Sequence, residues 1–112
     1  MRKTTDALMV YVSVPDAALA AEIATQVLER RQAACCQTIG PIRSQYRWQG
    51  KIETTSEVLL LLKTQREQLS ALESTIVQMH PYEVPEIVVT KIDLGHAPYL
   101  DWLRQETAGN SA

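Results

Sequence analysis

The sequence is short of the residues on which most catalytic and metal-binding motifs depend. Its 112 residues include no phenylalanine, two histidines and two cysteines. Without aromatic residues studding a strand, an RNA-recognition sheet is not expected. The two histidines, His80 and His96, leave little room for a catalytic triad, and a glycine-rich phosphate loop, GxSxG and HExxH are all missing. We therefore predict that the protein is not an enzyme.

Charge and hydropathy argue against two further classes of partner. The formal net charge is −2 and the basic residues are scattered. Because neutralising phosphates takes clustered lysine and arginine, we do not expect nucleic-acid binding. No apolar run approaches the roughly 20 residues of a membrane-spanning helix, and the polar start of the sequence does not resemble a signal peptide. We expect a cytoplasmic protein without a membrane partner.

The two cysteines, Cys35 and Cys36, are adjacent. Neighbouring residues of an extended chain point to opposite faces, so a disulfide between them would be strained. We expect two reduced thiols, as in a reducing compartment. Because no CxxC and no Cys/His pair at zinc-finger spacing occurs, a structural zinc site is not expected.

The apolar pattern predicts the order β-α-β-β-α-β followed by a short helix. A strand over Ala7–Val14 ends at Pro15, and Asp16 is a suitable N-cap for an amphipathic helix. Thr64 and Glu67 fit a capping box that would start the second helix. Further strands are predicted within Ala33–Thr64 and over Pro85–Ile92, and a last helix from Pro98. This order is typical of the ferredoxin-like α+β sandwich, as a single domain over residues 1–112.

The second and third strands are predicted to form an unusually long hairpin. Gln49-Gly50 is its turn, and each arm runs for about a dozen residues against the usual five or six. Long arms with open edges tend to pair with another chain, which indicates an oligomer. Tyr46, Trp48 and Trp102 are candidate subunit contacts, since tryptophan and tyrosine are enriched at interfaces. A ligand pocket formed by these aromatic residues is the alternative.

His80 is the leading candidate for a metal ligand or an acid–base group. It lies in a loop bounded by Pro81 and Pro85, with Glu83 and Glu86 nearby. The alternative is a rigid loop whose histidine merely ends a helix.

Two weaker candidates lie on the predicted strands. Cys35 and Cys36 could supply a thiolate ligand, although free cysteine more often packs as a small hydrophobe. Among the charged residues Glu57, Lys63 and Lys91, a lysine that ends an apolar run could bind an anion. More often such a lysine reaches solvent or pairs with a carboxylate.

Five segments, taken in order, resemble the CutA family, whose members are named for divalent-cation tolerance. The resemblance runs in register from about Val12 to Leu103. The segments are Ala33-Ala34-Cys35, Ser44-x-Tyr46-x-Trp48-x-Gly50-Lys51, Glu57 with Lys63-Thr64, His80-Pro81-Tyr82-x-x-Pro85-Glu86-Ile87, and Tyr99-Leu100-x-Trp102-Leu103.

The resemblance implies a homotrimer of ferredoxin-like protomers that serves tolerance to divalent metals, notably copper. It implies no enzymatic activity and no obligatory cofactor, with Cu²⁺ or another divalent cation as the candidate ligand. Cys35 and His80 match motif positions, and Glu86 is a candidate companion within or across subunits. Some bacterial members have a cysteine where this sequence has Val12, and a His-His pair where it has Met79-His80.

Two alternatives to a metal-responsive protein remain at this point. The first is a PII-like signalling module, in which a cleft between subunits near Lys63, His80 and Tyr82 takes a small anionic ligand or a partner loop, without a physiological metal. The second is an acylphosphatase-like enzyme on the same fold. It is disfavoured because Pro15-Asp16 places an acid where a phosphate would sit.

Overall fold

A computed structural model describes residues 1–109, so residues 110–112 of the predicted domain lie outside the described part. Its elements, in chain order, are β1 (Arg2–Lys3), β2 (Ala7–Val14), α1 (Ala17–Glu29), β3 (Cys35–Trp48), β4 (Lys51–Gln65), a 3₁₀ turn (Arg66–Gln68), α2 (Leu69–Met79), β5 (Ile87–Lys91), β6 (Leu94–Gly95) and α3 (Ala97–Glu106). Within residues 1–109 no helix is long and apolar enough to cross a membrane.

The main sheet has four strands in the order β3-β4-β2-β5, and all neighbouring strands are antiparallel. With two helices on one face, this arrangement confirms the predicted ferredoxin-like α+β fold. The short pairing of β1 with β6, in which Arg2 lies opposite Gly95, was not predicted. Strands of two residues carry no periodicity, so a sequence pattern cannot reveal them.

The core lies between the sheet and the two longer helices. Asp16 begins α1 as predicted, because its Oδ1 accepts a hydrogen bond from the Leu19 amide at 2.8 Å. The helices contribute Ala20, Ile23, Val27, Leu72 and Ile76, which pack on Val10, Val12, Val14, Leu60 and Leu62 of the strands. Each of these side chains is 0% exposed, and burial of one such aliphatic side chain stabilises the fold by about 1.5–3 kcal/mol.

The predicted capping box at Thr64 is wrong. Thr64 and Gln65 are the last residues of β4, where Gln65 lies opposite Ala7. The Thr64 hydroxyl donates instead to the carbonyl oxygen of Gln32 at 2.6 Å. Pairing with β2 keeps this segment extended, so α2 starts only after the 3₁₀ turn and without a side-chain cap.

The long hairpin is confirmed, since β3 and β4 have 14 and 15 residues. At its tip Gln49 and Gly50 have φ values of 49° and 78°, as a type I′ turn requires. The β3–β4 register shifts between Ile39 and Ile42. This bulge gives β3 one extra residue, so Tyr46 and Trp48 come to the sheet face that carries Glu57.

Candidate functional site

A cleft of about 660 Å³ opens between the base of the hairpin and the loop that follows α2. It lies at one end of the sheet face that the helices leave uncovered, which we call the open face. The cleft is lined by three carboxylates and three aromatic rings, those of Glu57, Glu83, Glu86, Tyr46, Trp48 and Tyr82. Among the described residues that line it, Arg43 is the one cationic residue.

Glu57 is the most deeply placed of the three carboxylates. It directly precedes Val58, where β4 starts to pair with strands on both sides, and it is only 5% exposed. The Tyr82 hydroxyl donates to Glu57 Oε2 at 2.9 Å. Desolvation, this hydrogen bond and the nearby negative charge raise the pKa of Tyr82 to about 12. The pair therefore joins the loop to the base of the hairpin with tyrosine as the donor.

His80 ends α2 and holds the loop in place. Its backbone turns to an extended conformation, with ψ at 131°, as expected for a residue before proline. Its Nε2 is 2.7 Å from the carbonyl oxygen of Ser13, and its Nδ1 accepts from the Tyr82 amide at 3.2 Å. Since a carbonyl only accepts, Nε2 carries the proton and the imidazole is neutral. Both ring nitrogens are therefore engaged within the chain.

Cys35 lies elsewhere on the open face. It is opposite Lys63, whose Nζ is 3.9 Å from Cys35 Sγ and 2.6 Å from Gln37 Oε1. Burial, together with the charge of Cys35 and a hydrogen bond with it, raises the pKa of the Tyr99 hydroxyl on α3. Cys36 is turned to the core side, where burial and the charge of Cys35 raise the pKa of its thiol to about 12. The two thiols are free and face opposite sides, as predicted.

The structure therefore separates the predicted metal ligands of one chain. Ser13, which holds His80, is opposite Leu59 of β4, whereas Cys35 is opposite Lys63. Four residues of strand correspond to about 13 Å. Within residues 1–109, no group of three or more histidine, cysteine, aspartate or glutamate side chains is placed to hold a metal ion.

His80 and Glu86 are brought closer together. Both contact Ser13, whose hydroxyl is 3.4 Å from Glu86 Oε1. By contrast, Lys63 is not among the residues that line the cleft with Tyr82. Lys63 and Tyr82 do not line one cleft within a single chain, and the predicted cleft between subunits stays a prediction.

The three predicted interface residues lie in two places. Tyr46 and Trp48 line the cleft and are 41% and 40% exposed, whereas Trp102 lies on α3, packs on Tyr99 at a ring distance of 5.6 Å and is 42% exposed. The sequence reasoning missed the importance of Glu57. Its signal is a single acid directly before the apolar run Val58–Leu62, where a central strand leaves little access to water.

Comparison with known proteins gives consistent matches over most of the chain. The family model for the CutA1 divalent ion tolerance protein matches residues 8–106. Protein CutA of Homo sapiens is 45% identical over 97 residues, which are 87% of this chain and 54% of that protein. This chain therefore spans about half the length of the mammalian proteins it resembles.

A bacterial relative matches over nearly its whole length. The divalent-cation tolerance protein CutA of Thermus thermophilus is 41% identical over 88% of this chain and 96% of its own. A solved structure of the divalent cation tolerance protein Cut A1 from Thermus thermophilus superposes with a TM-score of 0.89. It is 40% identical and covers 91% of this chain and 99% of its own.

Proposed function

The chain belongs to the CutA1 divalent ion tolerance family, and from this premise we propose that it acts in tolerance to divalent metal ions as a non-enzymatic homotrimer in the cytoplasm. The observation that carries the proposal is the family match over residues 8–106. The family is named for tolerance rather than for a reaction. The composition adds to this, since two histidines at separate places offer no triad.

The open face supports assembly with other copies. On the strands it carries the apolar side chains of Tyr11, Ile39, Leu59, Leu61 and Val88, opposite the core side. Ile39 and Val88 are 49% and 50% exposed. Covering this area in a subunit contact would remove apolar surface from water, and Trp102 would add an aromatic anchor.

A metal ion does not fit the ligand set of a single chain, because His80 uses both ring nitrogens and Cys35 lies at a distance. We propose that copper binding combines His80 and Glu86 of one subunit with Cys35 of another, and that the lone pair of His80 Nδ1 exchanges its hydrogen bond from the Tyr82 amide for the metal ion. Imidazole and thiolate favour copper or zinc over magnesium. Met79 packs against the core and Val12 has no side-chain donor atom, so neither supplies a ligand in this arrangement.

The test is calorimetric titration of the reduced protein with Cu²⁺ and Zn²⁺. We expect stoichiometric copper binding that His80→Ala and Cys35→Ser both lose, and that weakens from about pH 7.5 to about pH 5 because protons compete for both ligands. His96→Ala and Cys36→Ser are the matched controls and should bind as the unmodified protein does. Binding that survives both test substitutions would refute these ligands.

The anionic ligand of a PII-like module is not favoured by the charge of the cleft. Three carboxylates and one arginine line it, and Lys63 contacts Cys35 and Gln37 instead. An anion would meet net repulsion there.

A further inference from the structure

The cleft holds negative charge that the chain itself does not neutralise. Within residues 1–109 the ion pairs are Arg2 with Asp101 and Lys3 with Asp93, and neither involves a residue of the cleft. Arg43 is next to Ile42, the cross-strand partner of Glu57, and therefore projects from the other face of β3. The carboxylates of the cleft thus have no cation of the described chain within ion-pair distance.

The lack of a cation matters most at Glu57, whose carboxylate is nearly buried. It is 5% exposed, and a buried carboxylate needs a partner for its charge. The Tyr82 hydroxyl satisfies Oε2. No donor from residues 1–109 is hydrogen-bonded to Oε1, and this atom is open to the cleft, since the one buried polar side-chain atom without a partner in the described chain is Gln32 Oε1. A cationic donor entering the cleft would supply both a balancing charge and a charge-assisted hydrogen bond to Oε1.

The size and walls of the cleft distinguish an organic cation from a metal ion. Its volume of about 660 Å³ is that of a small-molecule pocket. In the described part of the chain, no three acidic, thiol or imidazole side chains lie close enough together to hold one metal ion. Two walls are aromatic. Tyr46 is held by its hydroxyl's hydrogen bond to Thr55 Oγ1 at 3.0 Å, and Trp48 follows it on the same face. Aromatic faces attract organic ammonium groups.

We propose that the cleft binds a small aliphatic diamine or polyamine. One ammonium group donates to Glu57 Oε1, a second pairs with Glu83 or Glu86 at the mouth of the cleft, and the methylene chain between them lies along Tyr46 and Trp48. This ligand is separate from the metal ion of the proposed function. Its binding requires neither Cys35 nor a free nitrogen of His80.

The test is calorimetry of metal-free, full-length protein with 1,4-diaminobutane. The neutral 1,4-butanediol has the same chain without the charges and should not bind. Glu57→Gln keeps an acceptor for Tyr82 but removes the charge, and we expect it to weaken diamine binding about tenfold or more. Glu86→Gln, at an exposed position, should weaken binding by a smaller factor and guards against a folding defect in the first variant.

Glu73→Gln is the matched control, because it removes the same charge from an exposed position of α2 outside the cleft. It should leave diamine affinity unchanged. Absence of binding to the unmodified protein, equal affinity for the diol, or equal losses in Glu57→Gln and Glu73→Gln would each overturn the proposal. Because the samples hold no metal, the result does not depend on the copper titration.

Discussion

The two faces of the main sheet are formed by the same strands, yet their side chains differ in burial. On the side of α1 and α2, alternate residues such as Val10, Val12, Leu60 and Leu62 are completely buried. On the open face, the residues between them are partly exposed, and Ile39 is 49% exposed. Both faces are apolar in β4, where Val58–Leu62 has no polar residue. The difference arises because both longer helices pack on one side.

This contrast shows that a strand with apolar residues on both faces is expected to be buried on both sides, but its sequence does not say which element buries each side. The two longer helices of one chain cover one face and leave the other open, which is where the proposed subunit contact would form. Near the base of the hairpin the open face changes character, since Ser13 and Glu57 replace aliphatic residues. The open face therefore has an apolar part suited to subunit contact and an acidic end suited to a ligand.

The largest effect on stability is expected for a substitution on the face that packs against α1 and α2. Leu60→Ala removes a side chain that is 0% exposed, and we expect it to lower the free energy of unfolding by about 3 kcal/mol, through lost burial and a cavity. Leu28→Ala is the control, because Leu28 is 41% exposed on α1 and should lose less than about 1 kcal/mol. Urea unfolding measures both, and equal losses would contradict the assignment of the core.

On the open face, a charge should act on assembly rather than on folding. Leu61→Glu places a carboxylate in the proposed subunit contact, and we expect each contact to lose about 2 kcal/mol from burying an unpaired polar group. Light scattering should then report a smaller mass, while circular dichroism stays that of the folded chain. Val77→Glu is the control on α2, where Val77 is 50% exposed. An unmodified protein with the mass of one protomer would refute the trimer.

The smallest expected effect concerns the polar end of the open face. Tyr82→Phe removes the donor to Glu57 and should cost about 1 kcal/mol near neutral pH. Folding raises the pKa of Tyr82 to about 12, whereas the pKa of a tyrosine in an unfolded chain is about 10. Between these values the unfolded state binds fewer protons, so the stabilisation is complete below the lower value and is lost as the pH rises through the window.

The measurement is the difference in unfolding free energy between the unmodified protein and Tyr82→Phe across that pH window. We expect the difference to shrink with rising pH. Cys36, whose pKa is also raised to about 12, is present in both proteins and cancels. A difference that is the same below and above the window would contradict the raised pKa of Tyr82 in the folded protein.

Much of the fold could be predicted where local chemistry decides it. Strand β2 has the bounds predicted, Ala7–Val14, because a β-rich apolar run meets a proline. The turn at Gln49-Gly50 needs positive φ, which glycine provides without strain. The capping box at Thr64 fits the same kind of local rule and is wrong, because a longer-range contact, the pairing of β4 with β2, takes precedence.

The candidate site was harder to predict, because it depends on which strands become neighbours. The sequence singled out His80, Glu86 and Cys35, and the fold brings only the first two to Ser13. The extra residue of the bulge between Ile39 and Ile42 changes which side chains of β3 share a face with Glu57. A shift of one residue reverses a strand's faces, so local pattern alone cannot decide such a grouping.

The sequence by itself determined the order of the longer strands and the helices, the long hairpin and the family, because these rest on periodicity, turn residues and motifs read along the chain. Only the tertiary structure decided that both ring nitrogens of His80 are hydrogen-bonded, to Ser13 and Tyr82, and that Cys35 lies apart from His80. It also decided that Glu57 is buried in an aromatic-walled cleft. The physical reason is that burial, hydrogen-bond partners and local charge depend on residues distant in the chain, which a linear pattern does not place side by side.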